Sequence, residues 1–436
     1  MNKLGFGIIG LVAVAALYYF TAGSSQITQE MKKQVNAELT TLQQNGFSVQ
    51  DREIKEGEEH FVISIDDPAQ VTSYLKSKGV EAKQEELLSL KGFKLGIDAK
   101  YLNDTYSALS VDIYPVALPN IERENKKAIA RIQKMIATKT LLVHLDFNKL
   151  LSGFKGYVKD INETFVDEVT INIASLGVTF EGTIEEDKVK TVDQKVEHFS
   201  VNADKELMMK LYNLTGQYTI GKSSYNMSSN YSVETIELKG EKGFSMIAKN
   251  AKIKIINSLH DNLLKSDFST TTDSIEITES KKTYVLNDML FDFKVDNLDI
   301  AAFEALQHTD INDEKAVDAL YQKILSKDIT LNIPNLSVKT IEEQGKIMDG
   351  FSLNSALNID KSFDFNALSQ NPLAALDALN TKTHIELSPE LFALVAQDPK
   401  AMMAMMFFPP VEKEGKKVYE VEFIKGKLTV NGAVMF

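Results

Sequence analysis

The stretch YVLNDMLFDFKVDNLDIAAFEAL, Tyr284–Leu306, decides how this chain folds. Phe291, Phe293 and Val295 alternate with Asp292, Lys294 and Asp296, the period-2 pattern of a strand with one apolar face. The pattern breaks at Asp299, a residue suited to capping a helix N-terminus, and a short leucine-rich helix is predicted over Asp299–Gln307. The same order of strand then helix recurs. Thr140–Asp146 leads into Phe147–Leu151, Asn354–Asp360 into Phe365–Leu379, and Thr383–Leu387 into Ser388–Ala396. In the last of these, Ser388 and Pro389 read as N-cap and first helical residue. The spacing is irregular, which makes this a loose supersecondary repeat rather than a solenoid of fixed period.

Upstream of Tyr284 the pattern is predominantly strand from Leu141 onward. Val169–Ile173, Val178–Ile184, Lys195–Val201, Tyr231–Leu238, Phe244–Ile256 and Asp273–Ile277 are separated by short polar or glycine-containing turns such as Lys239–Gly243. Such spacing predicts antiparallel meander pairing. A sheet of this kind has one apolar face, which helices, another sheet, lipid or a partner must cover.

Toward the N-terminus, Ile27, Met31, Val35, Leu39 and Leu42 recur every three or four positions and predict a helix over 26–45, stopped at Asn45-Gly46. Its stripe is expected to pack on the first sheet; a stalk or membrane-surface helix is the alternative, and a surface helix ordinarily carries a more basic polar face. Strands follow at Phe47–Ile54 and His60–Ile65, then a helix from Asp67-Pro68 to Lys78, a short helix at Glu81–Leu90, a strand pair at Phe93–Tyr101 and Tyr106–Val116, and a helix from Asn120 to Ala137. Gly92 and Gly96 inside a strand pattern indicate a bulge or a close backbone approach.

Residues Gly5–Phe20, GFGIIGLVAVAALYYF, are uncharged and apolar after Lys3. With Leu4 and the uncharged Thr21–Ser25 they approach the roughly 20 residues of a membrane span. Gly5, Ile8, Leu11, Val14 and Leu17 fall in its apolar body, and Tyr18, Tyr19 and Phe20 stand where a cleaved signal peptide would have small residues. Aromatic residues there suit a membrane–water interface, so an uncleaved signal anchor is expected. Lys3 and the α-amino group keep the N-terminus cytoplasmic by the positive-inside rule and place the body across the membrane. The chain has no cysteine, so there is no residue to acylate as a lipoprotein and no disulfide.

The expected fold is therefore α+β and β-rich, with long antiparallel meander sheets and short flanking helices, preceded by one N-terminal transmembrane helix. Four regions are expected: the anchor at 1–25, a membrane-proximal α+β region at 26–138, a β-rich meander at 139–297, and a mixed strand and helix region at 298–436 ending in a hairpin.

Chemistry is sparse. A net charge of −13, with basic residues dispersed among acids, excludes a general nucleic-acid binder. His60, His144, His198, His260, His308 and His384 show no metal-ligand spacing, and no H-E-x-x-H, P-loop, G-x-G-x-x-G or G-x-S-x-G occurs. No catalytic residue, cofactor or metal is expected. The segment AMMAMMFFPP, Ala401–Pro410, is unusual: Met402, Met403, Met405, Met406, Phe407 and Phe408 form either an adaptable apolar contact for lipid or a partner, or a helix filling the end of the core. Core filling is the simpler expectation. Asp160-Ile161-Asn162-Glu163-Thr164 fits the acidic N-glycosylation sequon used by some bacteria, with Asn162 as acceptor.

Taken together, the single N-terminal span, the β-rich body, the unit DFKVDNLDIAAFEAL (Asp292–Leu306) and the ending Gly426-Lys427-Leu428-Thr429-Val430-Asn431-Gly432 resemble the bacterial YdgA-like family of uncharacterised envelope proteins. The resemblance covers nearly the whole chain and implies an inner-membrane anchor with a periplasmic body; it brings no catalytic residues. A looser likeness links such units to AsmA-like envelope proteins, which look like β-sheet grooves for lipid. The leading expectation is a non-enzymatic protein of cell-envelope maintenance that binds lipid in an apolar groove. The alternatives are an envelope scaffold that binds a protein through a sheet edge or helix groove, and a hydrolase whose site assembles only in space.

Overall fold

The computed structural model describes residues 29–77, 87–88, 90, 92–102, 106–118, 126–166, 169–185, 188–204, 206–221, 225–310, 312–365 and 376–435. The expected anchor, including Gly5, Ile8, Leu11, Val14, Leu17, Tyr18, Tyr19 and Phe20, lies outside the described residues. Among the described residues no helix is long and apolar enough to cross a membrane. The chain divides into two compact units, Met1–Ser224 and Tyr225–Phe436, so the strand-rich stretch 139–297 is shared between them. Both units are β-rich and antiparallel, with a few short helices.

The first unit runs α1 (Gln29–Gln44), β1 (Phe47–Lys55), β2 (Glu58–Ile65), α2 (Pro68–Ser77), β3 (Lys94–Tyr101), β4 (Ser107–Ala117), α3 (Lys126–Ala137), β5 (Val143–Asn148), β6 (Gly153–Val158), β7 (Ile161–Val166), β8 (Thr170–Leu176), β9 (Val178–Glu185), β10 (Lys188–Ala203) and β11 (Leu207–Ile220). The strands β1 to β6 pair in succession, β6 pairs with β9, and β9, β10 and β11 continue the sheet. A second layer of pairing joins β7 to β8 and β8 to the far half of β10.

The amphipathic stripe of α1 explains its place. Val35, Leu39 and Leu42 are buried with Phe61, Ile97, Val111, Ile113, Leu145 and Phe147 in one core. Each of those strand residues is an alternate position, so one sheet face packs and the other stays polar. Asp67 caps α2 by accepting hydrogen bonds from the Ala69 and Gln70 amides at 3.0 and 3.1 Å. At Gly96 a Cβ would stand 2.7 Å from the Tyr114 ring and 2.8 Å from Val116, and the β3–β4 register shifts beside it at Lys94/Leu95. The close neighbours of Gly96 are side chains of β4, and the irregularity lies just before it.

One predicted helix does not form. Phe147 lies near the end of β5 as a fully buried strand residue, 6.3 Å from the Phe154 ring. It continues the inward alternation of Val143 and Leu145. Five residues cannot nucleate a helix against that burial.

The second unit runs β12 (Met227–Gly240), β13 (Ser245–His260), β14 (Leu263–Glu279), β15 (Lys282–Asp299), α4 (Ile300–His308), α5 (Glu314–Leu325), β16 (Ile329–Glu343), β17 (Lys346–Ile359), β18 (Leu379–Leu387), α6 (Pro389–Val395), α7 (Pro399–Phe407), β19 (Val411–Lys413), β20 (Lys416–Ile424), β21 (Lys427–Val430) and β22 (Ala433–Val434). Strands β12 to β18 pair in succession and β18 pairs with β20. The far edge of β20 carries β19 and β21.

Two-residue turns with both φ positive join these strands: Asp261-Asn262 (49° and 63°), Ser280-Lys281 (52° and 70°), Gln344-Gly345 (51° and 84°) and Lys425-Gly426 (50° and 75°). Paired positive φ matches the right-handed twist of the flanking strands and makes tight hairpins. Two strand-to-helix switches fall where the sequence puts them. The Asp299 side chain accepts from the Ala302 amide at 2.9 Å and opens α4; Ser388 accepts from the Leu391 amide at 3.1 Å and opens α6. The helix predicted over Phe365–Leu379 falls largely on residues outside those described, and Leu379 begins β18.

Candidate functional site

In the second unit the meander brings apolar residues from distant hairpins into one line. Tyr231, Ile253, Thr270, Phe291, Leu336, Leu353, Ile385 and Tyr419 are cross-strand neighbours in unbroken register over eight strands. Only Thr270 in that line is polar. Every member is half-buried. Phe268 and Phe293 extend the line along β14 and β15, with ring centroids 5.9 Å (Phe268–Phe291) and 6.4 Å (Phe291–Phe293) apart. At strand spacings of about 4.8 Å, eight strands make a band about 34 Å wide.

Among the described residues, helices close this face at both ends and leave the middle. At one end Val295, Leu331 and Leu357 pack against Ala302 of α4 and Ile324 of α5. At the other, Met289, Val338, Phe351 and Leu387 pack against Leu391 and Leu394 of α6. Val295 and Met289 lie six residues apart on β15, so the interval between the caps is about 20 Å at 3.3 Å per residue. The opposite face is hydrophilic: Asn230, Lys254, Ser269, Asp292 and Asn335 form the adjacent cross-strand line. The geometry is a trough with an apolar floor and helical ends, suited to an extended apolar chain.

Helix α7 lies beyond α6. It turns Met402, Met403, Met406 and Phe407 to solvent, at 49, 60, 77 and 69 % exposure, while Met405 and Phe408 are half-buried. Core filling, the simpler expectation for this segment, is therefore not what the fold does with it: α6 already supplies the apolar cap, and α7 follows after only three intervening residues.

A second line forms on the polar face of the first sheet. His60, Asp98, Asp112 and His144 are successive cross-strand neighbours from β2 to β5. His60 Nδ1 lies 2.6 Å from Asp98 and His144 Nδ1 2.6 Å from Asp112. Lys139 Nζ reaches Asp98 at 2.8 Å, and the Tyr114 hydroxyl donates to it at 3.1 Å. Beside this line is an open polar groove of about 380 Å³ lined by Glu53, Lys55, Glu58, Glu59, His60, Asp98, Ala99, Lys100 and Asp112.

Carboxylates and a histidine around a concavity are what an assembled hydrolytic site would show, so the groove bears on the third alternative. Its electrostatics read differently. Burial alone would push the Asp98 carboxyl up, yet hydrogen bonds from Lys139, His60 and Tyr114 outweigh it and hold the group below the usual range. Glu59 is taken by Arg52 and by the Tyr101 hydroxyl, whose own pKa is pushed up by burial and by that carboxylate. A general acid needs a raised carboxyl and a base needs a free lone pair. Asp98 is not raised, and three neighbours already occupy its carboxylate, so the line reads as a cross-strand hydrogen-bond network built on the Lys139–Asp98 ion pair. Among the described residues no three His, Cys, Asp or Glu groups converge as metal ligands.

Three of the remaining histidines are local, and the His308 side chain lies outside those described. His384 bridges Glu420 and Glu386 at 2.7 and 3.1 Å, His198 packs on Tyr212, and His260 sits exposed beside Asp261. Asn162 lies exposed on β7. Its sequon partners are engaged: Thr164 donates to Asn172 at 2.7 Å, and Asp160 accepts from the Gly177 amide at 2.9 Å. Neither line across the sheets was legible beforehand, because each joins residues from separate hairpins. No protein family, curated protein or solved structure matches this chain.

Proposed function

We propose that this protein is a non-enzymatic, membrane-anchored component of the bacterial cell envelope, akin to the YdgA-like proteins, whose second unit holds the acyl portion of a lipid along the trough. The Gly5–Phe20 segment would be the anchor in the inner membrane, and the folded body would stand in the periplasm. The single observation that carries the reading is the register-matched apolar line from Tyr231 to Tyr419, half-buried and left open between α4–α5 and α6. Each Å² of apolar surface removed from water is worth about 25 cal/mol, so an acyl chain laid along such a band gains without needing a specific polar contact. The polar opposite face explains why one side alone would be used.

Native mass spectrometry of the full-length protein released from detergent should show a bound lipid, and organic extraction should recover it. Leu336→Lys, which places a charge in the centre of the floor, should lower lipid occupancy by about tenfold, equivalent to roughly 1.4 kcal/mol. Asn335→Lys on the opposite face should leave occupancy unchanged. Protein that is lipid-free after gentle isolation, with in-cell crosslinks from Leu336 to a polypeptide, would overturn the lipid reading and favour the scaffold.

A further inference from the structure

We propose that Met402, Met403 and Met406 on α7 bind one soft monovalent cation, Cu(I) or Ag(I), through their thioether sulfurs. Met402 and Met406 are four residues apart and Met403 and Met406 three, the two spacings that make side chains neighbours on a helix surface. Their Cβ atoms then stand about 5–6 Å apart, within reach of a shared ion on flexible three-carbon-length arms. All three are open to solvent, at 49, 60 and 77 % exposure, so the sulfurs are free to turn toward one another. By contrast, Met135 and Met348 are buried at 5 and 7 % and belong to packing.

Leaving such side chains in water forgoes roughly 1.5–3 kcal/mol of burial for each. Thioether sulfur is a soft donor that selects Cu(I) over the hard and borderline divalent ions. The chain has no cysteine, so no thiolate competes for the ion. Phe407, four residues after Met403 and 69 % exposed, flanks the cluster and would shield the bound cation from water. A thioether carries no proton in the physiological range. Binding at this site is therefore independent of pH between about 5.5 and 7.5, where an imidazole site would weaken as it protonates. This site does not depend on the lipid reading, because leucine substitutions remove the sulfur and keep the apolar face.

The test is titration of the full-length protein in detergent with Ag(I) in nitrate buffer, read by metal analysis after gel filtration, and with Cu(I) against a chromogenic competitor. The expected result is one ion per chain, a loss of at least about tenfold in affinity for Met402→Leu/Met403→Leu/Met406→Leu, and wild-type affinity for the half-buried control Met405→Leu. Methionine-to-leucine exchanges conserve volume and helix preference, so the triple variant should fold, which circular dichroism and retained lipid occupancy would check. The proposal is overturned by absence of binding at micromolar ion, by wild-type affinity in the triple variant, or by affinity that falls as the pH is lowered from 7.5 to 5.5.

Discussion

The sheet under α1 and the sheet between α4–α5 and α6 are built from the same antiparallel alternation, yet among the described residues one is sealed and the other is open. In the first, Val35, Leu39 and Leu42 of α1 join the sheet face in one core, and Phe61, Leu145 and Phe147 reach 0 % exposure. In the second, the helices sit at the ends, and Phe291, Leu336 and Leu353 in the middle stay half-buried. Alternation makes a strand amphipathic; the position of the covering helix decides whether the apolar face is a core or a surface for binding.

The largest effect should come from truncating the sealed face. Phe147→Ala removes a fully buried ring and should cost about 3–5 kcal/mol, whereas Leu336→Ala in the open trough should cost about 1 kcal/mol or less. Urea titration with fluorescence or circular dichroism would measure both. Equal losses would mean that the trough is as sealed as the first core and would break the contrast.

A smaller effect is expected at the trough's end. Asp299 is 7 % exposed and caps α4, with Lys323 Nζ at 3.9 Å. Asp299→Ala should cost about 1–2 kcal/mol and speed amide exchange in α4 over that in α1. Unchanged exchange in α4 would show that packing alone holds that cap.

In the hairpin turn Ser280-Lys281, a non-glycine residue sits at φ 70°. Lys281→Gly should therefore stabilise the second unit by about 0.5–1 kcal/mol, and a loss of stability would show that the lysine side chain matters more than its backbone strain.

Titration should separate the two sheets by direction. On the first, Asp98 is held below its ordinary value, burial being outweighed by Lys139, His60 and Tyr114. Its contribution is present above the unfolded carboxyl value and is lost as pH falls through the lower folded one. On the second, burial would lower His384, but the hydrogen bonds it donates to the Glu386 and Glu420 carboxylates raise it above the ordinary value of 6.5. That contribution is full below about pH 6.5 and is lost as pH rises through the higher folded value. Hydrogen exchange should thus loosen β2–β4 on acidification and β18–β20 on alkalinisation, modestly because the groups are partly exposed. Asp98→Asn and His384→Gln should each flatten one limb alone.

Legibility followed the range of the interactions. The stripe Val35–Leu42 and the caps at Asp67, Asp299 and Ser388 were readable because each depends on residues within one or two turns of one another. The false helix at Phe147–Leu151 came from reading leucine content where burial beneath α1 prevailed. Strand β11, Leu207–Ile220, passed unread because paired apolar residues such as Met208-Met209 and Leu211-Tyr212 blur its alternation. The exposure of Met402, Met403 and Met406 was equally hidden, since a methionine-rich helix looks the same whether it fills a core or faces water.

By itself the sequence determined a cysteine-free, acidic, β-rich chain with an apolar segment at Gly5–Phe20, strands that alternate and hairpins that turn tightly. Backbone sterics and side-chain periodicity are local, and a single strand or turn displays them. Only the tertiary structure decided that Tyr231 and Tyr419 belong to one apolar line, that His60 and His144 belong to one polar line, and that three methionines share a solvent-facing helix surface. Register and cover are set by hydrogen-bonded pairing and packing between segments far apart in the chain, and no one segment carries that information.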